Sequence, residues 1–237
     1  SVNSISGEVP QKFDLKQKKK KKCNSKTVIM FEIAETGYYN LDIFEKKVSI
    51  ESAIKPINSN IDLIPSSLNN SVLERAMINS NRNWSESVKS QLDQISLNYD
   101  LIIIDTAPAL SATNTAVTVA SDMVILPVNP DKFSILGFEK NYQELQDIKK
   151  DFKITADIKV LFTKYDAREK MSSEYLDAFI QKYPDILLKS YIRVSSDAKN
   201  TLATSKSIYS SKSSAKEDYH LVTVELLKLE KDNLCHL

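Results

Sequence analysis

The chain has 237 residues, 42% of them hydrophobic and 27% charged, the balance of a folded domain with a sizeable core and not of a disordered chain. Its 32 basic and 31 acidic residues leave a formal charge of +1, so contact with nucleic acid would have to come from local clusters of charge. Two cysteines (Cys23, Cys235) and two histidines (His220, His236) exclude a zinc site or disulfide framework, and without a membrane-length apolar run or a secretory segment the expectation is a soluble cytoplasmic protein with no membrane partner.

Residues 1–26 mix turn formers with the lysine run Lys18 to Lys22 and show no apolar period. They read as a disordered, solvated basic leader, with a nucleic-acid or membrane-surface tether as the sharper alternative. Order is expected from residue 27 to residue 237 as a single α/β domain. "TVIMFEI" (27–33) is a β-branched strand candidate, and "IDLIP" (61–65) is a second that ends at a proline.

From Asn83 the pattern becomes regular. Asn83 with Glu86 three residues on marks a helix start, and Val88, Leu92 and Ile95 follow on one face. A strand is expected over 99–105, and its run Leu101 to Ile104 fits a central strand covered on both faces. Then come a helix over 112–121, the strand "MVILPV" (123–128), a helix over 135–150 bearing Leu136, Tyr142, Leu145 and Ile148, and a strand over 158–163. A helix over 171–182 carries Tyr175, Phe179 and Ile180, and "ILLKSYI" (186–192) is a further strand. A Ser/Lys-rich loop precedes a last helix over 215–231 with Leu221, Val224, Leu226, Leu227 and Leu229. Strands alternating with helices define α/β architecture with a doubly wound, mostly parallel sheet.

Ligands of such sheets sit beyond the carboxyl ends of the strands, where Asp105 is the first charged residue after the apolar run. A carboxylate there suits Mg²⁺, which takes one or two carboxylates together with waters and phosphates. The plainer reading, that Asp105 caps the following segment, is about as well supported by the residues alone. The three glycines, Gly7, Gly37 and Gly137, do not have the spacing of G-x-x-x-x-G-K-[ST], nor of G-x-G-x-x-G, so this chain holds no phosphate-cradling loop of either kind.

"YDLIIIDTAPAL…ASDMVILPV" resembles the Walker B region of the ParA/MinD family of deviant Walker ATPases. "VLFTKYDAREKMS" (160–173) is similar to the family's later L-[TN]-x-[YF]-D-x-R segment. "SYIRVSSDAKNTLATSKSI" (190–208) and "VSIESAIKPINSNIDLIPSSL" (48–68) resemble further family stretches. The resemblance covers roughly residues 36–231 and is closest to plasmid partition proteins. It implies a P-loop NTPase-like fold with ATP and Mg²⁺ as cofactors. Asp105 would organise the metal and the attacking water, and Thr106 and Pro108 would shape the neighbouring switch loop. Thr163 and Asp166 would lie near the adenine. Arg193, Lys199, Lys206 and Lys212 would belong to a surface touching non-specific DNA, where the plain alternative is a solvated face. A ParB-like partner and a dimer with a second copy or an intact paralogue are implied as well.

The departures from the family are as informative. Its first motif, K-G-G-x-G-K-[ST], has no counterpart, and "FEIAET" offers only Glu32 and Glu35 near the place of its acidic D-x-D-P-Q strand end. "TVIMFEI" is a candidate substitute for the first strand, and Arg193 stands where the family has proline. Phosphoryl transfer is mainly positioning and electrostatic stabilisation, and one oriented donor is worth roughly 3 kcal/mol. Loss of the loop removes several donors, a lysine and a metal ligand together. The expectation is a partition protein that is catalytically incomplete, a truncated or degenerated copy, with a non-catalytic DNA- or partner-binding module or an inactive remnant as alternatives.

Overall fold

A computed structural model describes residues 27–31, 40–65, 70–79, 83–106, 111–203, 207–210 and 213–234. The expected leader, Glu32, Glu35, Pro108, Lys206 and Lys212 lie outside these residues. The described part is α/β with parallel strands, and the chain divides into two compact units, residues 1–122 with 147–156 and residues 123–146 with 157–237.

The first unit is built on a four-stranded sheet in the order β2-β3-β1-β4. Strand β1 (Thr27–Phe31) lies between β3 (Ile61–Pro65) and β4 (Leu101–Ile104), parallel to both, with Met30 opposite Ile64 on one side and Ile104 on the other. The short β2 (Lys55–Pro56) pairs antiparallel with β3. They are joined by a turn in which the Asn58 side chain accepts from the Asn60 N–H at 2.8 Å, the local bond that makes asparagine a turn former. Ile43 of α1 (Asn40–Phe44) and Ile50 and Ala53 of α2 (Ile50–Ala53) pack with Ile64, Leu92 and Ile95 in one buried cluster. Leu73 and Met77 of α3 (Asn70–Ile78) meet Ala116 of α5 (Ala112–Ala120) in another.

The helix expected to start at Asn83 begins as a 3₁₀ turn, Trp84–Glu86, and becomes α4 over Ser87–Leu92. The Asn83 side chain accepts from the Ser85 hydroxyl at 2.7 Å and makes no bond to a helix N–H, so the opening turn stays tight. The predicted face is in place, with Leu92 and Ile95 buried and Val88 packed against them.

Strand β4 corrects one expectation. Its apolar run is not covered on both faces: Ile102 and Ile104 pack on the core, while Leu101 is 37% and Ile103 45% exposed. Side chains alternate between the faces of a strand, so Leu101 and Ile103 share one face and only the other, with Ile102 and Ile104, is packed on the core. A continuous apolar run permits burial on both faces, but the packing layers decide which face receives it.

The second unit holds β5 (Met123–Val128) and β6 (Asp157–Phe162), paired in parallel from Met123 opposite Asp157 to Val128 opposite Phe162. Helix α6 (Lys132–Phe152) starts three residues earlier than its apolar period suggests, because the Asp131 carboxylate accepts from the Ser134 N–H at 2.8 Å and caps it. It ends where Lys153 takes a left-handed φ of 52°. Phe138 of α6 stacks on Tyr142 and meets Phe179 of α7 (Lys170–Lys182) and Tyr183, forming a buried aromatic cluster with Phe162.

The stretch 186–192, expected as a strand, is an extended segment joined to β6 by isolated bridges at Leu187 and, beyond it, between Tyr165 and Arg193. The N–H groups of Leu188, Ile192 and Val194 donate to Val160, Phe162 and Tyr165. The consecutive N–H groups of Lys189 and Ser190 both turn to the Glu225 carboxylate, at 2.7 and 2.8 Å. That double turn breaks the alternation a continuous strand requires. Glu225 lies on α9 (Ser214–Leu234), whose buried face is Ala215, Asp218 and Val222, while Leu221 and Leu227 are exposed. Helix α8 (Ser196–Ala203) precedes it.

In the first unit, the Tyr99 hydroxyl donates to the buried Asp62 carboxylate at 2.8 Å. Burial, then this bond, pushes the phenol up from 10.0 to about 12. A folded-state pKa above the unfolded one means that the contribution to stability is present below pH 10 and lost as pH rises toward 12. Tyr99→Phe is expected to lower unfolding free energy by about 1–3 kcal/mol in denaturant titration at pH 7. The parent chain should lose stability between pH 10 and 12 more steeply than the variant.

Candidate functional site

Asp105 follows Ile104 directly and stands, exposed, at the carboxyl end of β4, with Thr106 exposed beside it. The parallel register of β3, β1 and β4 brings Pro65, Phe31 and Asp105 to the same end of the sheet, where ligands of parallel sheets bind. Asp105 does not cap α5. That role belongs to Ser111, whose hydroxyl accepts from the Asn114 N–H at 3.1 Å, and the Glu74 carboxylate accepts from the Ala112 N–H at 3.1 Å. No group of three metal-ligating side chains is present among the described residues. Asp105 supplies one of the one or two carboxylates that a Mg²⁺ ion takes, and the sequence does not have the G-x-x-x-x-G-K-[ST] spacing.

Thr163 and Asp166 lie in the second unit, at the carboxyl end of β6. The Thr163 N–H donates to the Val128 carbonyl at 2.8 Å, and its hydroxyl donates to the Asn129 side chain at 2.8 Å, so Thr163 ties the ends of β5 and β6 together. Lys164 then takes a left-handed φ of 55° and turns the chain. The Asp166 carboxylate accepts from the Arg168 N–H at 3.0 Å, from its Nε at 2.9 Å and from its Nη2 at 2.6 Å. Its own N–H donates to the Ser172 hydroxyl at 3.3 Å. Hydrogen bonding to the Arg168 side chain, then to its main chain, holds the carboxyl down at about 2. The D-x-R spacing therefore builds a local brace at the strand end.

Arg193 is held as firmly. Its N–H donates to Asp218 at 3.0 Å, and its Nε and Nη2 reach the same carboxylate at 3.0 and 2.7 Å. Lys199 lies on α8; Lys206 and Lys212 fall outside the described residues. Asn129, Asp218 and Glu225 are engaged groups that reading by motif passes over, whereas Arg168 is the arginine of the D-x-R segment. For Asp218 a signal exists: it sits on the Ala215–Asp218–Val222 stripe, an acidic residue on an otherwise apolar helix face.

Parallel strands, crossover helices and an acidic strand end define the α/β architecture of the P-loop NTPase-like folds. The AAA domain family matches residues 12–160, and the chain belongs to it, among the ParA/MinD-like proteins. An uncharacterized protein of Methanocaldococcus jannaschii, MJECL24, is 38% identical over 144 residues, 60% of this chain and 55% of that relative's own length. A ParA family protein of Chlamydia pneumoniae is 27% identical over 80% of this chain and 76% of its own. The solved structure of a putative plasmid partition protein from Borrelia burgdorferi bound to AMPPNP aligns with a TM-score of 0.69 at 20% identity, over 85% of each chain.

Because the folded pKa of Asp166 lies below its ordinary 3.8, the contribution of the Arg168 brace is present above that value and lost as pH falls toward 2. A carboxyl-carbon NMR titration should place the Asp166 midpoint near 2. Arg168→Ala should return it most of the way to 3.8, the remainder reflecting the main-chain N–H.

Proposed function

We propose that this chain is a ParA-like partition protein that is catalytically incomplete on its own. The observation that carries this reading is the exposed Asp105 at the carboxyl end of β4, in a chain whose three glycines form no phosphate loop. Residues 27–237 are read as one family domain, a view supported by the solved partition protein that aligns over 85% of the chain. Asp105 is the group that would organise Mg²⁺ near a nucleotide phosphate, with Thr106 and Pro108 in the adjoining loop. Thr163 and Asp166 are read as the adenine end, Thr163 through its fixed hydroxyl and Asp166 through the turn it braces. The Borrelia relative was solved with AMPPNP, which supports ATP as the nucleotide of the fold; binding by this chain is expected to be weak.

Arg193, Lys199, Lys206 and Lys212 are read as a surface for non-specific DNA. A ParB-like protein and a dimer with a second copy or an intact paralogue are the proposed partners, in the cytoplasm. No helix among the described residues is long and apolar enough to cross a membrane.

Two measurements test this reading. Calorimetry with Mg²⁺ and ATP is expected to show no measurable binding, and micromolar affinity would overturn the incompleteness. Retention on random-sequence duplex DNA should weaken with added salt. Replacing Lys199, Lys206 and Lys212 together by glutamine should flatten the slope of log affinity against log salt by about 0.9 for each phosphate that is no longer neutralised; an unchanged slope removes these residues from the surface.

A further inference from the structure

The extended segment after residue 186 has two edges. One donates to β6, and the other presents the N–H groups of Lys189, Ser190 and Arg193 to α9. Helix α9 meets them with two carboxylates two turns apart, Glu225 and Asp218. The Arg193 N–H is one of the donors from which the Asp218 carboxylate accepts, at 3.0 Å.

The Asp218 side chain is 6% exposed and that of Arg193 is 44% exposed. A guanidinium has five N–H donors. Asp218 engages the Nε and Nη2 edge, which leaves Nη1 free of Asp218 on a half-exposed side chain. Hydrogen bonding to Asp218 raises the Arg193 pKa, and the nearby Tyr191 and Glu217 act in the same direction. A phosphate approaching Nη1 therefore meets a guanidinium already compensated by a buried carboxylate, and the like-charge repulsion from that carboxylate is poorly screened at low local dielectric.

We propose that Asp218 competes with phosphate for the Arg193 guanidinium within the chain, keeping the binding of a polyanion to this surface weak and easily reversed. The proposal rests on the reading of Arg193 as a polyanion-binding residue. Asp218 touches no phosphate itself; it acts through Arg193 and sets how much of that charge is available.

Asp218→Asn keeps the side chain's size and one acceptor oxygen while removing the charge. The full chain carrying D218N is expected to hold random-sequence duplex DNA more tightly than the parent, with a salt slope steeper by about 0.9, the value for one further phosphate neutralised. The gain should vanish in the D218N/R193Q double variant. Titration with inorganic polyphosphate separates the two readings. A D218N gain against polyphosphate, with no DNA retention by any variant, keeps the competition and removes DNA as the partner; no gain against either polyanion overturns the proposal. A gain that survives in the double variant also overturns it, since it would not pass through Arg193. A measurement on the parent chain guards against a variant that fails to fold. Saturating polyphosphate should shift the Arg193 Nη resonances while Asp218 keeps the Nε–H slow to exchange; unshifted Nη resonances overturn the proposal.

Discussion

Parallel strands carry their connections at the ends of the sheet, and that constraint places everything of chemical interest in this chain. With β1 held between β3 and β4 in a common direction, the carboxyl ends of all three fall together, and the charged residue that follows the apolar run of β4 has nowhere to go but that end. In the second unit the same rule sets Thr163 and Asp166 beyond β6, next to Asn129 beyond β5. Each sheet depends on main-chain pairing between segments far apart in the chain, and the side chains at the ends inherit their positions from it.

Carboxylates do most of the bracing around these sheets. Asp62 receives the Tyr99 hydroxyl, Asp166 receives Arg168, Asp131 caps α6, and Asp218 and Glu225 take the outer edge of the segment beside β6. An ionised carboxylate offers about four acceptor sites and so can satisfy several main-chain or guanidinium donors at once. This explains how a chain with little net charge carries many engaged acidic groups. Asp105 differs from them in standing exposed at a strand end, the position in which a carboxylate is available to a metal ion or a phosphate-bound cation. In the proposed reading Asp105 would contribute one ligand, while the chain's three glycines do not have the spacing of a phosphate loop.

The outer edge of the 186–194 segment illustrates a second economy of structure. An extended segment with unpaired N–H groups invites pairing with another chain. Here α9 closes that edge with acidic side chains in place of another strand, which explains why the segment is extended yet lacks a continuous ladder. The β4 end of the first sheet is closed by no strand among the described residues, and Leu101 and Ile103 on one of its faces are exposed.

Apolar period and turn chemistry made β3, β5, β6, α5 and α7 legible to within a residue or two, since a strand or helix face is written in neighbouring residues. The glycine spacing and the position of Asp105 after an apolar run are equally properties of the covalent chain; the run carried the likeness to ParA-like ATPases, and the spacing the expectation that no phosphate loop is present. Only the tertiary structure decided which face of β4 is covered, that 186–192 is bridged and not a full strand, and that Arg193 and Asp166 are locked in ion pairs. Strand order and pairing across distant segments come from packing layers and long-range hydrogen bonds, which leave no period in the sequence. The Asp218–Arg193 pair joins residues on two elements brought together only when α9 docks beside the segment next to β6.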